Sequence, residues 1–209
     1  MTKLIDITRP LQHGMAVWPD DTPFQRETIL TKKDGHSVNL TTLHISSHTG
    51  THVDAPYHFT DDGLTMEQVD LTPYWGPAQV VTVTKQGGPL HLDDFANYDL
   101  TLAPRLLVRT PIADLPFDQF PAQIVHPSPE LAAHLGQLGL LLYGTDAPSM
   151  DATDSTDLPG HHALHAANIL ILEGLDLRQA PDGLYELVAF PLKITGGDGS
   201  PVRAVLRTL

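Results

Sequence analysis

Cysteine is absent from the 209 residues of this chain. That removes disulfides, thiolate nucleophiles and sulfur-based zinc sites together, so any metal must be held by His, Asp or Glu. Positive charge is scarce: 12 Lys and Arg stand against 25 Asp and Glu, a formal net charge of −13. So acidic a chain is a poor match for nucleic acid or an anionic membrane surface, and a negatively charged substrate would need local attraction, such as a metal centre. No apolar run approaches the roughly 20 residues needed to cross a bilayer. The opening Met1-Thr2-Lys3-Leu4-Ile5-Asp6 has no long apolar stretch and no signal-like cleavage site, which predicts a cytoplasmic protein. Internal repeats and low-complexity tracts are also missing. With 41% hydrophobic and 18% charged residues, the chain suits one domain over residues 1–209 with its own core.

Strands are predicted at Leu4–Thr8, Glu27–Leu30, Val38–Ile45 and Gln79–Thr84 from β-branched content and partial alternation. Arg105–Arg109, Gln123–Val125, Leu140–Tyr143, Ile169–Leu172, Tyr185–Pro191 and Ala204–Arg207 read likewise. Ser128–Leu138 is the clearest helix, with Ser128 as N-cap, Pro129 at the first helical position and Glu130 at the positive end. Either Gly136 or Gly139 ends it, and Gly139 suits the following strand better. Leu92–Phe95 and Gly160–Asn168 are shorter helical candidates. Asp61–Gly63 and Lys85–Pro89 read as turns, and Thr195–Pro201 as a loop before the last strand. The acidic loop from Asp146 to Asp157 is exposed or lines a polar site. The alternation of strands and short helices predicts an α/β fold.

The chemistry is concentrated in His48-Thr49-Gly50-Thr51-His52-Val53-Asp54-Ala55-Pro56-Tyr57-His58-Phe59. Imidazole and carboxylate are ligands that zinc, manganese and iron accept. In a straight strand His48 and His52 would lie roughly 13 Å apart, at about 3.3 Å per residue, too far to share one ion. The segment must turn. Gly50 disfavours a long helix and Pro56 pushes Ala55 out of the helical region. A compact turn from His48 to Asp54, running into an extended Ala55–His58, is therefore expected, with His48, His52 and Asp54 converging and His58 nearby on a separate limb. The plain alternative is a surface histidine pair that binds nothing, with His58 a core or supporting residue.

A second cluster, His161-His162-Ala163-Leu164-His165, places His161 and His165 on one face if helical. Ile169-Leu170-Ile171-Leu172 runs into Glu173, and strand ends are where α/β folds tend to carry functional side chains. Taken singly, these read as solvated histidines and a solvated strand end. Together with the first cluster they suggest two ions: His48, His52 and Asp54 for one, with Asp54 bridging to a second that takes one late histidine and Glu173. Such a pair, about 3.5–4 Å apart, makes a nucleophile from water near neutral pH.

The dodecapeptide resembles the signature HxGTHxDxPxHF of the metal-dependent cyclase-like hydrolases. Asp6-Ile7-Thr8-Arg9-Pro10 and Val17-Trp18-Pro19-Asp20 are similar to that family's opening segment. Pro191-Leu192-Lys193-Ile194 and Ser200-Pro201-Val202-Arg203-Ala204-Val205-Leu206 are similar to its bacterial kynurenine formamidase branch. The resemblance implies a single-domain swivelling β/β/α fold with a mixed central sheet, usually a homodimer. It implies a metal-dependent arylformamidase that converts N-formyl-L-kynurenine to L-kynurenine and formate in tryptophan degradation. It also implies two zinc ions, with manganese or cobalt also acceptable to these ligands. His48, His52 and Asp54 would bind the first; Asp54, His161 and Glu173 would bind the second. Whether His161 or His162 is the ligand stays open.

On this resemblance a hydroxide formed at the metal attacks the formyl carbon, and His58 takes a proton from water and returns it to the leaving aryl amine. Trp18 contacts the substrate through a flat aromatic face, or packs in the core. No cation stands out as partner for the substrate carboxylate. An isatin hydrolase, or another cyclic-amide or ester hydrolase on the same scaffold, shares the metal motif and is the alternative activity. A metal-binding protein without catalysis would have no use for His58 outside the ligand set.

Overall fold

The computed structural model describes residues 2–209. Its strands and helices follow in chain order: β1 (Leu4–Asp6), β2 (Gln25–Leu30), β3 (Leu40–His44), β4 (His52–Asp54), β5 (Trp75–Thr82), β6 (Gly88–Leu90), β7 (Arg105–Arg109), β8 (Val125–Pro127), α1 (Pro129–Gln137), β9 (Leu142–Thr145), α2 (Pro159–Ala166), β10 (Leu170–Glu173), β11 (Gly183–Val188), β12 (Gly199–Pro201) and β13 (Val205–Thr208). Nine strands form one sheet in the order β1-β13-β11-β5-β7-β9-β10-β4-β12. The central β5, β7, β9 and β10 are parallel, and antiparallel strands extend the sheet on both sides. The fold is thus a mixed α/β domain around a large curled sheet.

Both faces of the central strands are covered, as expected for parallel sheets. Along β7, Leu106 and Val108 face one core and Leu107 the other; on β10, Ile171 and Leu172 divide in the same way. One face packs against α1 and α2 through Leu131, Ala132, Leu135 and Leu164. The other core gathers Ile5 from β1 and Leu206 from β13 with Val53 from β4 and Leu172 from β10. Strands from opposite ends of the sheet therefore share one interior, so the sheet curls on itself. Backbone contacts fasten that closure: Asp176 N–H donates to the Ile7 carbonyl at 2.9 Å, beside an antiparallel bridge between Thr8 and Leu175.

The expected strands correspond to elements of this fold, most closely Arg105–Arg109, except that Gln123–Val125 meets β8 only at Val125. The helix at α1 is capped as anticipated: the Ser128 side chain accepts from Leu131 N–H. Gly139, in the left-handed region at φ +81°, follows it and settles the choice against Gly136. Three expectations are corrected. The turn between His48 and Asp54 closes by Thr51, and His52–Asp54 is strand β4. Ala55–His58 is not extended throughout, because Pro56 starts a 3-10 turn over Pro56–His58, its fixed φ suiting a first helical position. Parts of Lys85–Pro89 and Thr195–Pro201 are drawn into strands β6 and β12 by partners distant in the chain, Val125–Pro127 and His52–Asp54.

Candidate metal and catalytic site

Two neighbouring strands supply the centre. In β4, residues two apart point to the same face, so His52 and Asp54 project together while Val53 enters the core. Strand β10 runs antiparallel beside β4 with Glu173 opposite His52, which brings the strand-end carboxylate to the histidine. The following Gly174 sits at φ +64°, and a Cβ there would collide with the Gly50 carbonyl oxygen, so this close approach requires glycine.

His52 Nδ1 lies 3.0 Å from the Gly50 carbonyl oxygen. A carbonyl only accepts, so Nδ1 carries the proton and Nε2 presents its lone pair to the site. Nε2 is 3.5 Å from Asp54 Oδ1 and 3.3 Å from Glu173 Oε2, yet it is buried without a hydrogen bond. Asp54 Oδ2 and Glu173 Oε1 are likewise buried and unpartnered. Each such orphan normally costs about 1–3 kcal/mol. Three of them on residues gathered at one centre make an arrangement that a cation would satisfy. His52, Asp54 and Glu173 place candidate ligand atoms within 4.8 Å of one another, as do His48, Asp54 and His58.

His161 joins from α2. Its Nε2 is 3.5 Å from Asp54 Oδ2 and 3.6 Å from Glu173 Oε1, so Asp54 stands between the two histidine groups. The Asp151 carboxylate lies 2.6 Å from the other ring nitrogen, Nδ1. It also accepts from the backbone N–H groups of Gly160 and His161, at 2.7 and 3.1 Å. Helix α2 lacks a side-chain cap of its own. Asp151 therefore anchors the start of the helix and orients the ring with one carboxylate. His162 and His165 are exposed and pack around Phe59, outside the centre.

His48 is held between two carboxylates, with Nδ1 3.0 Å from Asp54 and Nε2 3.1 Å from Asp198. Burial alone would lower its pKa, but the Asp54 and Asp198 carboxylates outweigh that and raise it to about 9. His161 is also raised, because Asp151, Asp54 and Glu173 overcome burial. Burial opposes ionisation of Asp54, yet His161, His48 and His52 hold its carboxyl well below the usual range. His58 behaves differently. Burial pushes its pKa down, with Asp54 and Glu173 opposing only in part. Its ring lies over His48 at 3.9 Å between centroids, and its Nδ1 is 3.7 Å from Asp198, whose other oxygen accepts from Ser47 Oγ at 2.7 Å.

A cavity of about 480 Å³ opens over these groups, lined among others by His48, His52, His58, His161 and Glu173. Trp18 lines it too, meeting Phe120 edge to face at 5.6 Å. Trp18 also packs against the small cluster of Ile112, Ile124 and Ala147, so lining and packing coexist. Arg9 and Asp198 face the same cavity. Asp151, Asp198 and Arg9 were not singled out from the sequence. The acidic loop from Asp146 is partly interior, since Asp146 and Asp151 are both buried.

In sequence and in fold the chain is similar to known proteins. The Cyclase family model matches residues 5–152. The kynurenine formamidase of Salinibacter ruber is 45% identical over 205 residues, covering 98% of this chain and 97% of that protein. That of Geobacillus thermodenitrificans is 42% identical, covering 100% and 99%. Among solved structures, a predicted metal-dependent hydrolase from Bacillus stearothermophilus superposes with a TM-score of 0.83 at 30% identity, covering 99% of this chain and 98% of that one. Isatin hydrolase A from Labrenzia aggregata shares the fold, with a TM-score of 0.82 at 24% identity and coverage of 99% and 94%.

Proposed function

The chain belongs to the cyclase family of metal-dependent hydrolases, within its kynurenine formamidases, and from that premise we propose that it hydrolyses N-formyl-L-kynurenine to L-kynurenine and formate. The observation that carries the metal part of this reading is the trio of buried, unpartnered atoms, His52 Nε2, Asp54 Oδ2 and Glu173 Oε1. His48, His52 and Asp54 would hold one zinc ion, and Asp54, His161 and Glu173 a second. Bound there, divalent cations supply a water of lowered pKa and positive charge where the oxyanion develops.

The protein's own groups account for the remainder. His58, kept neutral by burial, takes the proton from the attacking water and returns it to the aryl amine nitrogen as the C–N bond breaks. Asp198 lies 3.7 Å from His58 Nδ1, beyond hydrogen-bond range, and its charge would favour the ring once it has taken up the proton. Trp18 and Phe120 border the cavity with aromatic surface suited to an aryl ring. The assembly is proposed to be a homodimer, which sedimentation equilibrium would check.

The reading is tested by kinetics on metal-analysed protein with N-formyl-L-kynurenine, isatin and simple formanilides. Formylkynurenine is expected to be the best substrate, with two metal equivalents per chain. High activity on isatin with little on formylkynurenine would replace the arylformamidase by an isatin hydrolase.

A further inference from the structure

Arg9 is a cation without an anionic partner; its guanidinium carbon lies 5.8 Å from the centre of the Phe117 ring, which Arg178 also covers. Its Nη2 donates to the Asp146 carbonyl oxygen at 2.7 Å, while its Nε is buried with no hydrogen-bond partner. The chain's other arginine pairs have definite anions: Arg109 with Asp114, Arg178 with Asp176, Arg203 with Asp6 and Arg207 with Glu186. The interior Arg105 donates to the carbonyls of Pro73, Pro77 and Thr72. Among the described residues no carboxylate forms an ion pair with Arg9. The two nearest in electrostatic terms are engaged elsewhere, Asp146 by Thr110 and Asp176 by Arg178. A half-buried guanidinium without an anion is costly, and an arriving carboxylate offsets part of that cost.

Its placement says which carboxylate. Arg9 lines the cavity that holds the candidate metal ligands, and among the described residues it is the sole Arg or Lys to do so. Its backbone N–H donates to Thr51 Oγ1 at 2.8 Å, and that hydroxyl donates to the Gly174 carbonyl at 2.6 Å. Thr51 and Gly174 directly adjoin His52 and Glu173, so the arginine is fixed to the frame that carries the centre.

The geometry points to Arg9 as the residue that receives the α-carboxylate of the amino-acid substrate, setting preference for an aryl formamide that carries this carboxylate over one that lacks it. This rests on the arylformamidase reading above. The amino-acid end of the substrate carries its one negative charge, beside an ammonium, and among the described residues Arg9 is the one permanent cation bordering the cavity.

The test compares N-formyl-L-kynurenine with N-formylkynuramine, the same formanilide lacking the carboxylate. Wild-type holoenzyme is expected to favour the former at least tenfold in kcat/KM, and the preference should shrink as salt is raised. Arg9→Met should bring the two values together, mainly through KM, while Arg9→Lys keeps part of the preference. Metal content and thermal melting of both variants are measured alongside. Equal wild-type rates on the two formamides would overturn the role of Arg9, as would a folded Arg9→Met that retains the preference. Should Arg9→Met not fold, the wild-type ratio and its salt dependence still decide the matter. Absence of any wild-type activity on N-formyl-L-kynurenine, with turnover of isatin, would sink the arylformamidase reading itself and this inference with it.

Discussion

One carboxylate, Asp151, holds His161 twice, at its backbone N–H (3.1 Å) and at ring Nδ1 (2.6 Å). The imidazole is thereby turned so that Nε2 faces Asp54 and Glu173. Partners of this kind orient a ligand and raise its basicity, and losing one typically costs about 10–100-fold in metal affinity. Asp151→Asn keeps an acceptor but removes the charge. It should lower affinity by about tenfold at the position served by His161, read as preferential loss of one metal equivalent on dialysis against a graded chelator. Retention of both equivalents at the wild-type chelator concentration would make Asp151 a helix anchor alone.

His58 should announce itself in the pH profile. Its pKa is held below the ordinary histidine value by burial, so the free base persists into mildly acid solution. The acid limb of kcat/KM should therefore fall below about pH 6.5, activity being present above it and lost as His58 takes up a proton. His58→Ala is expected to lower kcat by about 10²–10⁴ with metal content near normal. Because His58 also falls in a potential ligand group with His48 and Asp54, metal loss in that variant would reassign it from proton carrier to ligand.

Asp54 is the residue common to both candidate ligand groups, and its two oxygens face different histidines. Asp54→Ala is accordingly expected to deplete both metal positions, leaving under about a tenth of an equivalent after gel filtration and no measurable turnover. Two full equivalents by elemental analysis would argue against a bridging carboxylate.

A further carboxylate, Asp146, lies outside the ligand groups. Burial pushes its pKa up to about 7, although Thr110 donates to it from both its backbone N–H and its hydroxyl at 2.7 Å. The folded protein therefore holds this proton more tightly than the unfolded chain. That stability is fully present below about pH 4 and is lost as pH rises towards 7, at up to about 1.4 kcal/mol per pH unit. Asp146→Asn should abolish the dependence. Urea unfolding at several pH values should show the variant gaining on wild type from pH 4 to 7 and a constant gap above. A gap that does not change with pH would mean that Asp146 is ionised throughout.

The candidate ligand types and their spacing are legible because metal chemistry restricts them: His48, His52 and Asp54, with His58 beyond them as the candidate proton carrier, stand out in the chain itself. The local backbone was harder. Val53 alone gives little β signal, and β4 exists because β10 and β12 flank it, a pairing between remote segments. The same remoteness hid Asp198, Asp151 and Arg9. Each lies in a stretch that reads as a polar turn or connecting loop, and nothing local distinguishes a carboxylate facing water from one aimed at a histidine. Between His161 and His162 only the burial of the folded helix could choose, and it places His161 beside Asp54.

Strands β4 and β12 are three residues each and form one margin of the nine-stranded sheet. So short a margin has few backbone bonds to resist fraying, yet it carries His52 and Asp54. Ions shared between this margin and Glu173 of β10 would act as a rivet there. Amide hydrogen exchange at Val53 and Ser200 should accelerate on chelation while exchange at Leu107, in the middle of the sheet, changes little, making local opening of the margin a gauge of metal occupancy independent of turnover.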